Sequence, residues 1–320
     1  MRIVCTAVLA MLTAASLHAA EQPSLVERLG FPKDAQVLII NADDYGMNHS
    51  TNVGTERVLK AGAVTSATVM VPCGWFPAAA NFARNNPQAN IGVHTTLTSE
   101  WGRYKWGPLL GCSEVPGLCD DLGYFFPDVF SIYAIGDIDQ AEREVRAQID
   151  RALAAGIDIT HIDSHMGAMQ YSPEYFERYI RIAADYNLPC RLASREMLEP
   201  VGAEGLLDLA AELNVLGPEV LYMGDPPTLE ITEEWFKERM SNIPRGKVSE
   251  MYIHCAVDAP EIFATTGSAR RRIADTDFFS DPATLEWIQE QGIELISYRE
   301  LRHLQQTGEP MPRVDGYSWD

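Results

Sequence analysis

The sequence predicts an α/β barrel of parallel strands, and three observations support this prediction. Short continuous apolar runs, which are typical of strands buried on both faces, alternate with segments of helical periodicity. About seven or eight such units follow one another, which suits a barrel of about 250 residues or more. The glycine fingerprint of a dinucleotide-binding sheet is absent from the sequence, so a barrel is favoured over an open doubly wound sheet.

The strands are predicted from apolar or β-branched runs that end at polar or turn-forming residues. The run from Val37 to Ile40 is the clearest, because it is entirely apolar and stops at the polar sequence NADD. The predicted strands cover 37–40, 64–71, 91–97, 159–163, 189–192, 220–223, 249–254 and 293–297.

The helices are predicted from capping residues and apolar periodicity. Ser50 is expected to cap a helix that Gly62 ends. Asp139 and Glu142 have the spacing of a capping box, and that helix is expected to end at Gly156. Further helices are predicted from Ser172-Pro173 onward and over 205–213, 232–240 and 281–291.

The segment 101–130 interrupts the alternation with aromatic residues, Gly, Pro and two cysteines, so it is expected to be a long excursion or lid outside the core. Cys112 and Cys119 are expected to form a disulfide in an oxidising compartment, because Pro116 and Gly117 turn the short loop back on itself. An odd thiol is then left over. Zinc binding by cysteines is disfavoured, because no CxxC spacing occurs.

The N-terminus has the layout of a secretory signal peptide. A positively charged start is followed by an apolar run over 3–17 and by the small residues Ala19 and Ala20. We expect residues 1–20 to be removed and 21–320 to form one domain that is periplasmic or secreted. A retained membrane anchor is the alternative, and it is disfavoured because a span needs about 20 apolar residues.

The chain is strongly acidic, with 45 Asp and Glu against 25 Lys and Arg and a formal charge of −20. Such a surface repels nucleic acid and anionic membranes, so neither is expected as a partner. A neutral sugar is not excluded by charge. Assembly into a homo-oligomer stays open.

Acidic and histidine side chains recur where predicted strands end. In a barrel of parallel strands these ends lie at one edge, which is where active sites form. A single buried histidine is most often a hydrogen-bonded core residue, but four strand ends that carry Asp or His weaken that interpretation. The residues concerned are Asp43, Asp44, His94, Asp163, His165 and His254.

Two histidines and one carboxylate suit a divalent metal ion and leave coordination positions for water and substrate, as in a catalytic site. Asp43 and Asp44 are adjacent, so along an extended segment their side chains would point apart. We therefore expect one of them to be a ligand and the other a general base.

Three motifs carry a resemblance to a known family. The stretch LIINADDYGMNHSTNVGTERVLKAGAVTSATVMVP, followed by IGVHTTLT and then THIDSHMG, resembles the YdjC/ChbG family of carbohydrate deacetylases, which includes chitooligosaccharide deacetylases. MYIHC and the closing IELISYREL are also similar to that family. The resemblance covers most of residues 21–320 and implies a single-domain, distorted TIM-like (β/α) barrel.

The resemblance also implies roles for five residues. It makes Asp44, His94 and His165 the ligands of one divalent metal ion, Mg²⁺ or Zn²⁺, although the ligand types favour a transition metal. It makes Asp43 the base that activates the attacking water, and His254 the acid that protonates the leaving amine.

One departure from the family is visible. The family commonly continues DSH with one or two further histidines, whereas this chain reads DSHMGAMQ. A contact normally made there is therefore in doubt, although His165 itself is kept. His161 lies on the same strand face as Asp163, and an orienting role and a structural one are both open for it. Asp163 is expected to hydrogen-bond a ligand histidine.

Several aromatic residues and arginines allow two interpretations each. Trp101, Tyr104 and Trp106 follow the strand of His94 and would either stack on sugar rings or pack beneath the excursion. Arg191 and Arg195 would either orient Asp43 or bind substrate, or they would be solvated or salt-bridged surface residues. His49 is expected to be exposed.

The function predicted from these residues is hydrolysis of the linear amide C–N bond of an N-acetyl group on an amino sugar or oligosaccharide. Two alternatives remain. One is a metal-dependent amidase or esterase that acts on a non-sugar substrate. The other is an exported carbohydrate-binding protein without catalysis, which the intact set of acidic and histidine residues disfavours.

Overall fold

The computed structural model describes residues 23–222 and 233–312. The predicted signal peptide lies outside these ranges, and so do Met223 and Thr232, which end one predicted strand and begin one predicted helix. Within the two ranges, no helix has both the length and the apolar composition that crossing a membrane requires.

Within 23–222 and 233–312, seven parallel strands form one sheet that curves into part of a barrel, which confirms the predicted fold class. The order is β4-β3-β2-β1-β6-β5, and β7 pairs with the first residues of β1. The strands are β1 Gln36–Tyr45, β2 Ser66–Val69, β3 Ile91–Thr95, β4 Ile159–Ser164, β5 Val220–Tyr222, β6 Lys247–His254 and β7 Ile293–Leu295.

Between β4 and β5 the barrel is continued by isolated backbone hydrogen bonds and not by a full strand. Cys190 forms an isolated parallel bridge with Ile162, and its amide donates to the carbonyl of Leu216, close to the start of β5. The predicted strand 189–192 is therefore wrong in length. Pro189 has no N–H with which to continue a ladder, so only its carbonyl takes part, accepting from the amide of Ile162.

The α-helices cover the outside of the sheet and follow the strands in chain order. They are α1 Leu25–Arg28, α2 His49–Ala61, α3 Phe76–Asn85, α4 Val129–Ile135, α5 Ile138–Ala154, α6 Pro173–Asp185, α7 Arg195–Leu198, α8 Gly205–Glu212, α9 Glu233–Ser241, α10 Pro260–Thr265, α11 Ala269–Ser280, α12 Pro282–Glu290 and α13 Tyr298–Thr307.

Several element bounds differ from the sequence prediction. Three predicted strands are shorter than expected, since 64–71, 91–97 and 293–297 are reduced to β2, β3 and β7. The first strand does not stop at Asn41, because the following residues keep their pairing with β6 as far as Asp43, and it continues to Tyr45. Helix α2 is capped by Asn48, whose side chain accepts from an amide in the first turn, and Ser50 lies inside the helix. Helix α5 is capped by Asp137 in place of the predicted capping box.

The excursion is partly core, which corrects the prediction that it lies outside. Between 96 and 128 the chain forms no α-helix or strand, and its one regular turn is a 3₁₀-helix at Pro116–Leu118. Cys112 and Cys119 are disulfide-bonded, as predicted. The other described cysteines are free and buried. Five excursion side chains enter the main hydrophobic core: Trp106, Val115, Leu118, Phe125 and Val129.

The contact of α2 with the end of β6 depends on Gly54. A Cβ at Gly54 would lie 2.7–3.0 Å from the backbone N, Cα and C of Ala256, which follows β6. Backbone atoms cannot rotate away as a side chain can, so any side chain here would push α2 off the sheet.

We expect Gly54→Ala to lower the free energy of unfolding by about 1–3 kcal/mol, because it overpacks this contact. Gly205→Ala is the matched control, since that helical glycine has nothing within 4 Å of its Cβ position, and we expect it to be neutral or slightly stabilising. Urea unfolding followed by circular dichroism measures both, and equal midpoints would contradict the close approach.

Candidate metal centre and active site

The carboxyl ends of the parallel strands bring the predicted residues together at one edge. The register pairs Asp43 of β1 with His254 of β6 and His94 of β3 with Asp163 of β4. His165 follows β4 directly. Asp43, Asp44, His94, His165 and His254 line one cavity of about 570 Å³.

Three buried side chains form a triangle of potential metal ligands. Asp44 Oδ1 lies 3.3 Å from His94 Nε2 and 3.3 Å from His165 Nδ1. The two nitrogens are also 3.3 Å apart. These atoms are grouped closely enough to bind one ion, since ligands at about 2.0–2.2 Å from a shared centre lie at about this separation.

Each histidine of the triangle is held by a carboxylate on its other nitrogen. His94 Nδ1 lies 2.6 Å from Asp163 Oδ1, as predicted for that aspartate. His165 Nε2 lies 3.0 Å from Glu100 Oε2, a partner that was not predicted from the sequence. Such carboxylate partners orient metal-binding imidazoles and select their tautomer.

The backbone at Asp44 is not extended, so the expectation that the side chains of Asp43 and Asp44 point apart is wrong. Asp44 has φ 65°, in the left-handed region, and the pairing of β1 with β2 shifts register between Ala42 and Tyr45. Both carboxylates consequently line the same cavity. Asp44 Oδ2 accepts from Arg272 Nη2 at 2.7 Å, which leaves Oδ1 for the triangle.

The charges around the triangle favour a bound cation. Burial alone would lower the pKa of His94, but Asp163 and Asp43 raise it to about 10. Burial likewise opposes the charged form of His165, but Glu100 and Asp44 raise its pKa to about 9. Two imidazolium N–H groups 3.3 Å apart would repel each other, and Asp44 Oδ1 is buried without a well-formed hydrogen bond. A shared cation relieves both problems, so the residues fit a metal ion.

Asp43 is held by an arginine and not by the triangle. Its two oxygens accept from Arg191 Nη1 and Nη2 at 2.9 and 2.8 Å, and Oδ1 also accepts from Asn41. Burial would raise the pKa of Asp43, but Arg191 and nearby histidines hold it well below the usual range. A carboxylate has about four acceptor positions, so one position on Oδ2 remains for a proton donor.

Arg191 joins three carboxylates in the interior of the barrel. Besides Asp43, its guanidinium contacts Glu250 Oε1 at 2.6 Å and Asp163 Oδ2 at 3.1 Å. Tyr298 donates its hydroxyl to the other oxygen of Glu250. The ring of His161 stacks on Tyr298 at 3.6 Å. Of the two roles open for His161, the structure shows the structural one.

His254 lies at the edge of the cavity, with Nε2 3.9 Å from Asp44 Oδ2 and 26% of its side chain exposed. Its backbone amide donates to Asp275, which holds the end of β6 in place. Burial, reinforced by Arg272 and opposed by the two aspartates, lowers the pKa of His254 to about 4. The imidazole is therefore neutral in the free site at pH 7.

The aromatic residues of the excursion separate into two groups. Trp106 is buried and packs edge-on against His165, and Tyr104 donates to the carbonyl of Met47, so both are packing residues. Trp101 lines the cavity, with the guanidinium of Arg272 over its ring at 5.6 Å. His49 is exposed, as predicted.

Three residues of the site were not predicted from the sequence, namely Glu100, Glu250 and Arg272. Glu100 lies shortly beyond the end of β3, so the rule that found the other strand-end residues could have found it. Glu250 alternates with His254 along β6 and therefore shares its face. No local sequence pattern indicated a role for Arg272 in the site, since it is one of three consecutive arginines in a helix. Arg195, which was considered with Arg191, does not line this cavity.

Comparison with known proteins agrees with the motifs and the fold. The family model described as YdjC-like protein matches residues 37–290. A carbohydrate deacetylase from Geobacillus stearothermophilus is 30% identical over 269 residues, which cover 83% of this chain and 98% of that protein. A carbohydrate deacetylase from Brevibacillus brevis is 28% identical over 264 residues, covering 82% and 99%.

A solved structure supports the same architecture. The crystal structure of a proposed cellobiose-phosphate cleavage protein from Enterococcus faecalis V583 superimposes with a TM-score of 0.72 at 29% identity. The aligned region covers 83% of this chain and 99% of that one.

We expect Arg191→Met to lower the free energy of unfolding by about 3–5 kcal/mol, because it leaves three buried carboxyl groups without their cation. Arg178→Met is the control, because Arg178 is half-exposed and pairs with Asp139 and Glu142. This substitution should lower the free energy of unfolding by no more than about 1 kcal/mol. Urea unfolding in the presence of a chelator removes any contribution from metal. Similar losses for both variants would contradict a structural role for the buried network.

Proposed function

The chain belongs to the YdjC-like family, and on this premise we propose that it is a metal-dependent hydrolase that removes N-acetyl groups from amino sugars or their oligosaccharides. The observation that carries the proposal is the triangle of Asp44, His94 and His165 beside a carboxylate, Asp43, whose charge is maintained by Arg191. The names of the related carbohydrate deacetylases support the choice of substrate.

Asp44 Oδ1, His94 Nε2 and His165 Nδ1 would hold one divalent ion, either Mg²⁺ or Zn²⁺, and two imidazoles with one carboxylate favour a transition metal. Such an ion polarises the acetyl carbonyl and lowers the pKa of the attacking water. The imidazoles must be neutral to bind it. Without the ion, the pKa of His94 is about 10 and that of His165 is about 9. Protons therefore compete with the metal for these nitrogens, and metal affinity should fall as the pH is lowered.

Asp43 would take the proton from the attacking water. Arg191 and Asn41 keep the carboxylate charged and fix its orientation, and one acceptor position on Oδ2 stays available. A carboxyl with so low a pKa is a weak base, so transfer to it becomes favourable only when the water has been made more acidic.

His254 would deliver a proton to the departing nitrogen, which leaves poorly as an unprotonated amide anion. The residue is adjacent to Asp43 in the register of β1 and β6, so both proton-transfer groups border the same cavity. With a pKa of about 4 in the free site, His254 is neutral at pH 7, so it would pass to the nitrogen the proton that Asp43 takes from the water.

Two rival functions remain distinguishable from this proposal. An amidase or esterase that acts on a non-sugar substrate would use the same centre, and it would hydrolyse simple amides or esters in preference to N-acetylated sugars. A carbohydrate-binding protein without catalysis would bind sugars and release no acetate.

We also propose that the protein is exported after removal of residues 1–20, on the basis of the N-terminal sequence and of a disulfide that suits an oxidising compartment. N-terminal sequencing of the protein from a periplasmic or culture fraction would test this. An intact Met1 there would contradict signal cleavage.

The function and the ligand set can be tested together by metal analysis and acetate release. We expect the purified protein to release acetate from N-acetylglucosamine oligomers, to lose this activity with a chelator, and to regain it with Zn²⁺ or Mg²⁺.

Asp44→Ala, His94→Ala and His165→Ala should each lose bound metal, measured by mass spectrometry, while circular dichroism stays unchanged. His49→Ala, a change at an exposed histidine, is the control and should keep the metal. Full metal content in any of the three variants would remove that residue from the ligand set.

Asp43→Asn and His254→Ala should retain metal and substrate affinity but lower kcat by roughly 10²-fold or more, the usual effect of removing a general base or acid. Asp43→Asn keeps the size of the side chain and removes its ability to accept a proton. Metal content and calorimetric binding of a trisaccharide control for indirect effects. A near wild-type rate in either variant, with metal bound, would show that its assigned role is wrong.

A further inference from the structure

A separate cavity lies away from the active site, at the amino ends of β5 and β6 and beside α1, α7 and α8. Its volume is about 420 Å³, which is within the range of about 300–1,000 Å³ that small-molecule sites occupy. None of its described lining residues also lines the cavity of the ligand triangle. Three cationic side chains line it, namely Arg28 of α1, Arg195 of α7 and Lys247 of β6. We call it the basic cavity.

The three cations have no anionic partner in the described part of the chain. Within residues 23–222 and 233–312, none of their side chains forms an ion pair or a hydrogen bond. This is unexpected in a chain with 45 acidic and 25 basic residues, where other arginines such as Arg146 and Arg302 are paired with carboxylates. Like charges that line one cavity repel each other, and a bound anion removes this repulsion.

Two carboxylates also line the basic cavity, and both accept hydrogen bonds from other groups. Glu219 Oε2 accepts from the backbone amide of Val248 at 3.0 Å. Hydrogen bonds from its own backbone amide and from Ser194 lower the pKa of Glu196, and the neighbouring cations contribute less to this shift. The cavity therefore keeps an excess of positive charge.

The rest of the wall is mainly apolar and is held in place by packing. Leu192 and Leu207 are among its apolar lining residues. A Cβ at Gly217 would lie 2.2 Å from the carbonyl oxygen of Cys190, so the loop before β5 packs directly on the chain that leads to Leu192. Gln305 of α13 holds the same loop through two hydrogen bonds. The cavity is thus preformed, as small-molecule sites usually are.

We propose that the basic cavity is a ligand site separate from the catalytic centre and that it binds a small organic anion. The carboxylate or phosphate of this ligand contacts Arg28, Arg195 and Lys247, since arginine binds both groups through paired hydrogen bonds. The apolar body of the ligand packs on Leu192 and Leu207. An apolar lining with a few charged groups is typical of a small-molecule site.

Calorimetric titration of the purified protein with phenyl phosphate tests the proposal, with a chelator present so that no metal ion binds the probe. We expect saturable binding with a Kd of about 1 mM or lower. Arg195→Met and Lys247→Met should each weaken it about tenfold, because each removes a charge-assisted contact. Arg151→Met is the matched control and should leave the affinity unchanged, because Arg151 is exposed at the end of α5 and does not line the basic cavity.

Two further probes separate the contributions of the charge and of the apolar wall. Inorganic phosphate carries the charge without an apolar body, so it should bind about tenfold more weakly than phenyl phosphate or worse. Benzoate carries a carboxylate on the same ring, and tighter binding of either aromatic anion supports the proposal and identifies the anionic group.

Three results would overturn the proposal. The first is the absence of saturable binding of both aromatic anions. The second is an equal affinity for inorganic phosphate and phenyl phosphate, because the apolar wall would then contribute nothing. The third is binding that Arg195→Met and Lys247→Met leave unchanged while circular dichroism shows both variants to be folded, because the anion would then bind elsewhere on the protein.

Discussion

The buried guanidinium of Arg191 is the interaction on which the site depends. It lies among Asp43, Asp163 and Glu250, all of which are shielded from water. Removing a charge from water costs several kcal/mol, so a cluster of three buried carboxyl groups needs a cation at close range. Each then does something different: Asp163 orients His94, Glu250 is tied to Tyr298, and Asp43 faces the cavity.

The local conformation of Asp44 explains how adjacent aspartates acquire different environments. In a regular strand their side chains would lie on opposite faces of the sheet, and only one would reach the cavity. The left-handed backbone at Asp44 and the register shift beside it bring both to the cavity. Arg191 then holds Asp43, and Arg272 holds Asp44 from another side. The arrangement separates a carboxylate suited to metal binding from one suited to accepting a proton.

The long excursion after β3 contributes more to the site than its irregular sequence suggests. Trp106 packs against the imidazole of His165, which Glu100, the residue directly before the excursion, orients, and Trp101 lines the cavity. The disulfide between Cys112 and Cys119 closes a loop within this segment. The segment therefore supports the centre from outside the barrel while adding part of the surface that faces the substrate.

The sequence by itself determined the parallel-strand architecture, the five residues that meet at the cavity and the disulfide pair. These are local signals: buried strands have continuous apolar runs, catalytic groups lie at strand ends, and the cysteines are close in the chain. Only the tertiary structure decided which partners these residues have. Glu100 reaches His165 from 65 residues away along the chain, and Arg272 reaches Asp44 from 228. Glu250 reaches Arg191, which holds Asp43, from 59 residues away, and no local pattern records a contact over such a separation. The left-handed backbone conformation of Asp44 could not be predicted from the sequence either, because it depends on the strands packed beside it and not on the aspartate itself.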